Sequence, residues 1–303
     1  MSVAALLERA GDRAQGHAPL GARTTYRVGG TARVFLTLSH EDEFEELGPL
    51  MLDTLLPIVC VGNGSNLLVA DGEHELLAVH LVGDLATMSS EDVGPAVKVT
   101  AGAGLDMPVA ARRLAHDGVV GLEWAVGVPG TFGGAVAMNA GGHGSDLAAS
   151  ILEATIWRDG TIGKWSKERL ALGYRTSALE PQDIVLSVHL SLARGDASQA
   201  QERVRAIVRW RREHQPGGQN AGSVFRNPTD DVAARLIEAA GCKGLRFASA
   251  QVSEKHANFI QADPDGSAND VYILMGVVRE RVRETSGVTL VTEHRFLGFG
   301  EVA

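Results

Sequence analysis

The sequence predicts a mixed α+β fold. Three observations carry this: short β-branched runs recur along the chain, amphipathic helical spacing separates them, and there is no internal repeat or low-complexity tract. Residues 32–38 contain Val34 and Phe35 and read as a strand, and residues 40–55 put Phe44, Leu47 and Met51 on one side of a helix. Strands return at 57–61 and 76–81. A polar turn is expected at 89–94, then a strand at 96–101 and a helix at 106–117 with Pro108 near its start. Strands follow at 151–157 and 184–192, the latter with Val185, Ser187, His189 and Ser191 on changing faces. Arg194-Gly195-Asp196 is a polar break, and a domain boundary is placed there. Beyond it come a helix at 197–214, a Gln215-Pro216-Gly217-Gly218 turn, a helix at 231–240, a strand at 258–261, a helix at 269–285 and a last strand at 293–299.

Composition narrows the class. The 303 residues are 45% apolar and 21% charged, an ordinary globular profile. A chain of this length buries about three-quarters of its unfolded surface, so it needs no disulfide or metal staple. A net charge of −9 argues against a nucleic-acid partner, which requires a positive surface. Cys60 and Cys242 lie far apart with no second Cys or His at ligand spacing, which excludes a zinc knuckle and a disulfide framework. They are expected to be buried or half-buried thiols in a reducing compartment. Glu8 and Arg9 interrupt the apolar start before an export signal could form. Residues 124–142 carry no charge and are long enough to cross a bilayer. Their six glycines, with Pro129 and Asn139, would leave backbone groups unpaired in lipid. A buried, glycine-rich loop system is expected instead, in a cytoplasmic protein with no membrane partner.

Two glycine loops stand out. The first, Val61-Gly62-Asn63-Gly64-Ser65-Asn66-Leu67, follows an apolar strand and has the chemistry of an anion cradle. It is no dinucleotide fingerprint, since Leu67 stands where a third glycine belongs and no helical pattern follows, and no Gly-Lys-Ser/Thr closes it as a Walker loop. A tight strand-to-strand turn and a ligand loop both fit it. The second runs from Gly127 through Pro129, Gly130, Thr131, Gly133, Gly134, Ala135 and Asn139 to Gly141, Gly142, His143 and Gly144. Each glycine costs about 0.5–1 kcal/mol relative to alanine in regular structure. A large flat ligand lying on the backbone would offset that cost; a glycine-rich packing crossover is the alternative.

Taken with Gly173-Tyr174-Arg175-Thr176-Ser177, the run Asn220 to Pro228 (Asn-Ala-Gly-Ser-Val-Phe-Arg-Asn-Pro), Gly241-Cys242-Lys243-Gly244 and the run from Ala250 to Ile260, these loops resemble the UDP-N-acetylenolpyruvoylglucosamine reductase family. The motifs follow family order from about Thr25 to Gly298. The resemblance implies a flavin-binding fold of the vanillyl-alcohol-oxidase type: FAD-binding subdomains at 1–82 and 83–195, and an α+β substrate domain at 196–292. The tail 293–303 is expected to pack back on the first subdomain. It also implies bound FAD held by Gly62, Asn63, Gly64, Ser65, Asn66, Gly127, Pro129, Gly130, Thr131, Gly133, Gly134, Ala135, Asn139 and Gly144. The reductant would be NADPH, the substrate a nucleotide sugar in peptidoglycan precursor synthesis, and the enzyme a monomer.

By the same resemblance Arg175 holds the negative charge that develops as the substrate's enolpyruvyl group is reduced, Ser223 donates a proton, Glu293 assists, and Asn227 and Lys243 contact substrate. On its own, Arg175 would pass for a surface arginine and Ser223 for a turn residue. The arginines of helix 197–214, namely Arg203, Arg205, Arg209, Arg211 and Arg212, read as a solvated face, with Val204, Ile207 and Val208 at core spacing. Two departures stand out: His214 replaces the family's usual lysine, and Thr292-Glu293-His294 replaces its usual Pro-Glu-Val. The span from Arg175 to Ser223 is that of the family's compact type, which lacks a tyrosine-bearing segment over the substrate. A flavin oxidase with a cofactor tethered through His143 and a non-catalytic nucleotide-sugar binder are the competing readings.

Overall fold

The structure is a computed structural model that describes residues 2–299. The chain divides into two compact units. The first comprises the segments up to Ala18, Arg33–Asn63 and Glu75–Arg211; the second comprises Pro19–Ala32, Gly64–His74 and the chain from Arg212 onward. The boundary expected at 195/196 falls inside the first unit.

The first unit is built around two sheets. In one, the strands Ala14–Pro19, Thr31–Leu38, Glu73–Leu81 and Ile58–Cys60 lie in that spatial order. Ile58–Cys60 runs parallel to Glu73–Leu81, with Ile58 opposite Leu77. Helix Glu43–Asp53 precedes it and buries Phe44, Leu47 and Met51, the face its spacing predicted. Three glutamates in its first turn complement the helix dipole.

The other sheet orders Thr161–Ser166, Ile151–Arg158, Ile184–Arg194, Ala96–Gly102 and Met88–Val93, all antiparallel, with Val119–Val120 paired to the end of the long central strand. The polar turn expected at 89–94 is instead the edge strand Met88–Val93, registered from Met88–Ala101 to Val93–Ala96. Five of its six side chains are exposed, so neither face needed apolar residues, and charges suit an unpaired edge. The segment expected to be glycine-rich loop is also partly regular: Glu123–Gly127 is a 3-10 turn and Phe132–Met138 an α-helix. Gly133 and Gly134 hide that helix from a propensity reading. Packing explains why glycine is there, because a Cβ on Gly133 would lie 3.3 Å from both the Cβ and the carbonyl oxygen of Ala103.

Helix Ala197–His214 has the expected bounds. Val204 is buried, Ile207 half-buried and Val208 exposed. Arg205 and Arg209 pair with Glu202, as a solvated face would, but Arg203 reaches the buried Glu123 at 2.5 Å.

In the second unit, helices Ala233–Ala239 and Ala268–Ser286 enclose a core with the antiparallel strands Arg246–Phe247, Ala250–Val252 and Ile260–Ala262. Tyr26, Val28 and Leu68 belong to this core although they come from early in the chain. The Ser267 hydroxyl caps the long helix by accepting from Asp270 N–H, Asp71 accepts from Ala268 and Asn269, and Gly287 ends it at φ 73°. The last strand, Arg295–Leu297, pairs in parallel with Leu67–Val69. Residues 300–303 of the tail lie outside the described residues. Among the described residues no helix is long and apolar enough to cross a membrane, no group of His, Cys, Asp or Glu could hold a metal, and both cysteines are free, Cys60 half-buried and Cys242 buried.

Candidate functional site

The two glycine loops meet within the first unit. Asn63 Nδ2 donates to Asp106 Oδ1 at 2.6 Å and to the Pro129 carbonyl at 3.2 Å. The Met107 N–H, one residue on, donates to the Gly130 carbonyl at 2.9 Å, and Asp106 forms a β-bridge with Thr131. A Cβ on Gly62 would fall 2.4 Å from Thr131 Oγ1, so glycine is what allows this approach. Asp106 was not singled out from the sequence. Its signal was its place immediately before helix Met107–His116.

The far part of the first loop belongs to the second unit. Gly64 sits at φ 58° with its carbonyl accepting from Thr25 N–H, and a Cβ there would lie 2.6 Å from Thr24 Cα. Ser65 is half-buried. Asn66 Nδ2 donates to the Glu293 carbonyl at 3.0 Å, and the Asn66 carbonyl accepts from Arg295 N–H at 2.9 Å.

These loops fit a flat cofactor. A Cβ on Gly142 or Gly144 would meet nothing within 4 Å, and one on Gly134 only Thr131 Oγ1 at 3.9 Å, so bare backbone faces open space at all three. Ala135 is buried, and its carbonyl accepts from Ala140 N–H at 2.8 Å to close the helix. His143, the candidate tether, lies against Gly127 and Trp210. Its Nε2 would be 2.8 Å from a Cβ on Gly127, and its ring meets Trp210 edge-on at 5.2 Å.

Arg175 lies at φ 57° in a tight turn in which Gly173 and Thr176 exchange backbone hydrogen bonds of 3.0 and 3.3 Å. It is half-buried, and its Nη2 donates to the Gly141 carbonyl at 3.0 Å. Ser177 fastens the turn to helix Phe132–Met138 by donating to the Ala137 carbonyl at 2.9 Å. Asn139, 3% exposed, ends that helix in the left-handed region and spends its amide on protein groups.

Ser223 and Glu293 come together in the second unit. Gly222, at φ 82°, turns the chain into Ser223-Val224-Phe225, and the Val224 carbonyl accepts from Glu293 N–H at 2.7 Å. The buried Asn258 holds this segment, with Oδ1 accepting from Phe225 N–H and Nδ2 donating to the Phe225 carbonyl at 2.8 Å. Ser223 is half-buried, and among the described residues its hydroxyl makes no hydrogen bond. Beside Glu293, His294 is 4% exposed and shares a 3.2 Å hydrogen bond with the hydroxyl of the fully buried Tyr26. Burial pushes the His294 imidazole down to about 4 and the Tyr26 phenol up, so both stay neutral.

The two expected substrate contacts are partly occupied by the protein. Asn227 Oδ1 accepts from Ala233 N–H at the start of a helix, and Lys243 Nζ pairs with Glu238 at 2.8 Å on the surface. His214 closes its helix in an exposed position.

Fold and loops together define a flavoprotein. Residues 32–163 match the FAD binding domain family, and residues 214–297 match the C-terminal domain of UDP-N-acetylenolpyruvoylglucosamine reductase. UDP-N-acetylenolpyruvoylglucosamine reductase 2 of Symbiobacterium thermophilum is 39% identical over 283 residues, 92% of this chain and 91% of that protein. The enzyme of Acidiphilium cryptum is 40% identical over 283 residues, 92% and 90% of the two chains. The crystal structure of the reductase from Thermus caldophilus superposes with a TM-score of 0.79 at 33% identity, covering 92% of this chain and 97% of that one. The chain belongs to the UDP-N-acetylenolpyruvoylglucosamine reductase family. Its fold is therefore the flavin-binding fold with a C-terminal domain, and its cofactor is FAD.

Proposed function

We propose that this oxidoreductase reduces the enolpyruvyl ether of a UDP-linked N-acetylglucosamine to the lactyl ether, UDP-N-acetylmuramate, using NADPH, in peptidoglycan precursor synthesis. Gly62, Asn63, Gly130, Thr131, Gly134 and their neighbours would hold FAD, which, once reduced by hydride from NADPH, would supply hydride to the terminal alkene carbon. Negative charge then develops on the adjacent carbon and spreads into the carboxylate, where the Arg175 guanidinium stabilises it. A fixed cation at the point of charge development is commonly the largest catalytic contribution. Ser223 gives its hydroxyl proton to that carbon, which is basic enough to take it from an alcohol held close. Glu293 helps orient the acid, and Asn227 and Lys243 hold the nucleotide sugar.

The observation that carries this reading is the Ser223 hydroxyl, which has no protein partner among the described residues and stands one residue from the Val224 carbonyl that anchors Glu293. An acid already donating within the protein would have to break that bond first. The functional division we infer is FAD binding by 1–82 and 83–195 and substrate binding by 196–292. The reaction is assigned to a cytoplasmic monomer with no nucleic-acid partner, in keeping with the net charge of −9. Anaerobic NADPH should bleach the flavin, and UDP-N-acetylglucosamine enolpyruvate should restore its colour. Bleaching without recovery refutes the substrate assignment.

A further inference from the structure

We infer that Asn139 is a positioning residue for Arg175, tying the turn that carries the guanidinium to the hairpin whose carbonyl the guanidinium engages. The inference rests on the reading that Arg175 holds the substrate's carboxylate.

The contacts form a closed ring. Asn139 Nδ2 donates to the Gly173 carbonyl at 3.0 Å and to Asp146 Oδ2 at 3.2 Å, while its Oδ1 accepts from Ala148 N–H at 3.0 Å. Gly173 opens the turn in which Arg175 sits, and Thr176 N–H donates to the same carbonyl at 3.3 Å. Asp146 pairs with Gly141 across the hairpin Gly141–Gly142/Ser145–Asp146, and the Gly141 carbonyl receives Arg175 Nη2 at 3.0 Å. A Cβ on Gly141 would lie 2.7 Å from the Asp146 Cβ, so the hairpin has no slack there. The path therefore runs from Asn139 through Gly173 to the Arg175 backbone, from the guanidinium to Gly141, and through Asp146 back to Asn139. Fixing the turn and the hairpin by one buried amide presents the arginine in one arrangement before substrate arrives, and such preorganisation acts on rate. The cost of leaving an amide donor unpaired makes the link stiff, because Asn139 is 3% exposed and water cannot replace a lost partner.

The test is Asn139→Asp combined with Asp146→Asn. Aspartate tolerates the left-handed backbone as asparagine does, and still accepts from Ala148 N–H. The amide introduced at 146 restores a donor across the hairpin and keeps an acceptor for Ala149 N–H, which Asp146 Oδ1 now binds at 3.2 Å. The donation to the Gly173 carbonyl is lost, and a carboxylate oxygen at 139 faces that carbonyl in its place, so the link becomes repulsive. The kcat for the enolpyruvyl substrate should fall about tenfold or more, with FAD affinity and flavin reduction by NADPH measured alongside as controls for the cofactor site. UDP-N-acetylmuramate, which carries the carboxylate, should bind about tenfold more weakly, and UDP-N-acetylglucosamine, which lacks it, should bind unchanged.

Wild-type turnover in the double variant overturns the inference. So does a parallel fall in FAD affinity and in the binding of both nucleotide sugars, which a purely structural role would produce. Arg175→Lys, measured alongside, separates the two readings. If it leaves carboxylate discrimination intact, the role of Arg175 itself fails; if it abolishes discrimination that the double variant keeps, only the role of Asn139 fails. Asn139→Ser adds no charge but gives up the contacts to Gly173, Asp146 and Ala148 together; should the carboxylate at 139 prevent folding, the split between carboxylate-bearing and carboxylate-free nucleotide sugars is read from it.

Discussion

Adding one carbon at Gly62 should open the flavin cradle. The Cβ of Gly62→Ala would sit 2.4 Å from Thr131 Oγ1, 3.0 Å from its Cγ2 and 3.3 Å from its Cβ. The first separation is shorter than real Cβ contacts and the second is tighter than nearly all of them, so one loop must move. Thr131 cannot yield freely, because its neighbour Gly130 accepts from Met107 N–H and Thr131 itself bridges Asp106. Overpacking of this kind costs about 1–3 kcal/mol. If the displaced segment is the one that binds the cofactor, that cost appears as a roughly 5- to 100-fold weaker FAD dissociation constant, at 1.4 kcal/mol per tenfold. Thr131→Ala alone should be mild, since no side-chain cap bond is lost. It removes the two closest atoms and leaves only the 3.3 Å contact, so the double variant should recover most of the affinity. The two changes should therefore couple by about 1 kcal/mol or more, where independent sites add within about 0.5 kcal/mol. Flavin fluorescence quenching gives the dissociation constants, and urea denaturation of the apoprotein gives the stability. Gly62→Ala with wild-type FAD affinity, or strict additivity with Thr131→Ala, would show that the loops do not meet as described.

Three further outcomes follow from the same geometry. Ser223→Ala should leave FAD binding and flavin reduction by NADPH intact while slowing turnover of the enolpyruvyl substrate roughly 10²–10⁴-fold, the usual worth of a positioned acid; equal turnover in stopped flow removes Ser223 from the mechanism. Glu123 is held below the ordinary carboxylate range: burial opposes ionisation, but hydrogen bonds from Arg203 and the Gly121 N–H outweigh it, so this stability is present above about pH 4.5 and lost as pH falls through the lowered value. Arg203→Ala should cost about 1–2 kcal/mol at pH 7, less than for a fully buried pair because Arg203 is half exposed, and should abolish that acid-side loss; a variant with the wild-type urea midpoint at pH 7, or with the wild-type fall in midpoint on acidification, would contradict it. His294 titrates near 4 when folded and near 6.5 when unfolded, so its stabilisation is complete above about pH 6.5 and declines toward pH 4 by about 3 kcal/mol. His294→Val should flatten that decline, and a variant with the wild-type slope rules the residue out.

Much of the fold was legible because burial wrote it into the pattern. Phe44, Leu47 and Met51 marked their helix, and helix Ala197–His214 was bounded correctly by Gly195 before it and Pro216 after it. Strand Met88–Val93 was misread because an exposed edge imposes no alternation, and helix Phe132–Met138 because Gly133, packed tightly on Ala103, and Gly134 lower its helix propensity. For the site, the motifs located the loops, but the residues that brace them were not readable. Asp106, Asn258 and Tyr26 act through partners 33 to 268 positions away in sequence, and no local pattern encodes such a distance. Asn139 was assigned to the cofactor by resemblance alone, and the partners of its amide, Gly173, Asp146 and Ala148, have no signal in the sequence.

The second unit is assembled from three visits of the polypeptide, and this shapes how the protein can be made and dissected. Tyr26, Val28 and Leu68 are synthesised long before Leu236, Val271 and Leu274, the residues with which they share a core. On the ribosome those early side chains must wait, solvated or guarded by a chaperone, until the carboxyl-terminal helices emerge. A gene fragment beginning at residue 212 would omit all three and leave their places in the interior open to water. Excision by sequence limits is therefore the wrong cut, and a stand-alone version would need the two short amino-terminal stretches fused back through linkers.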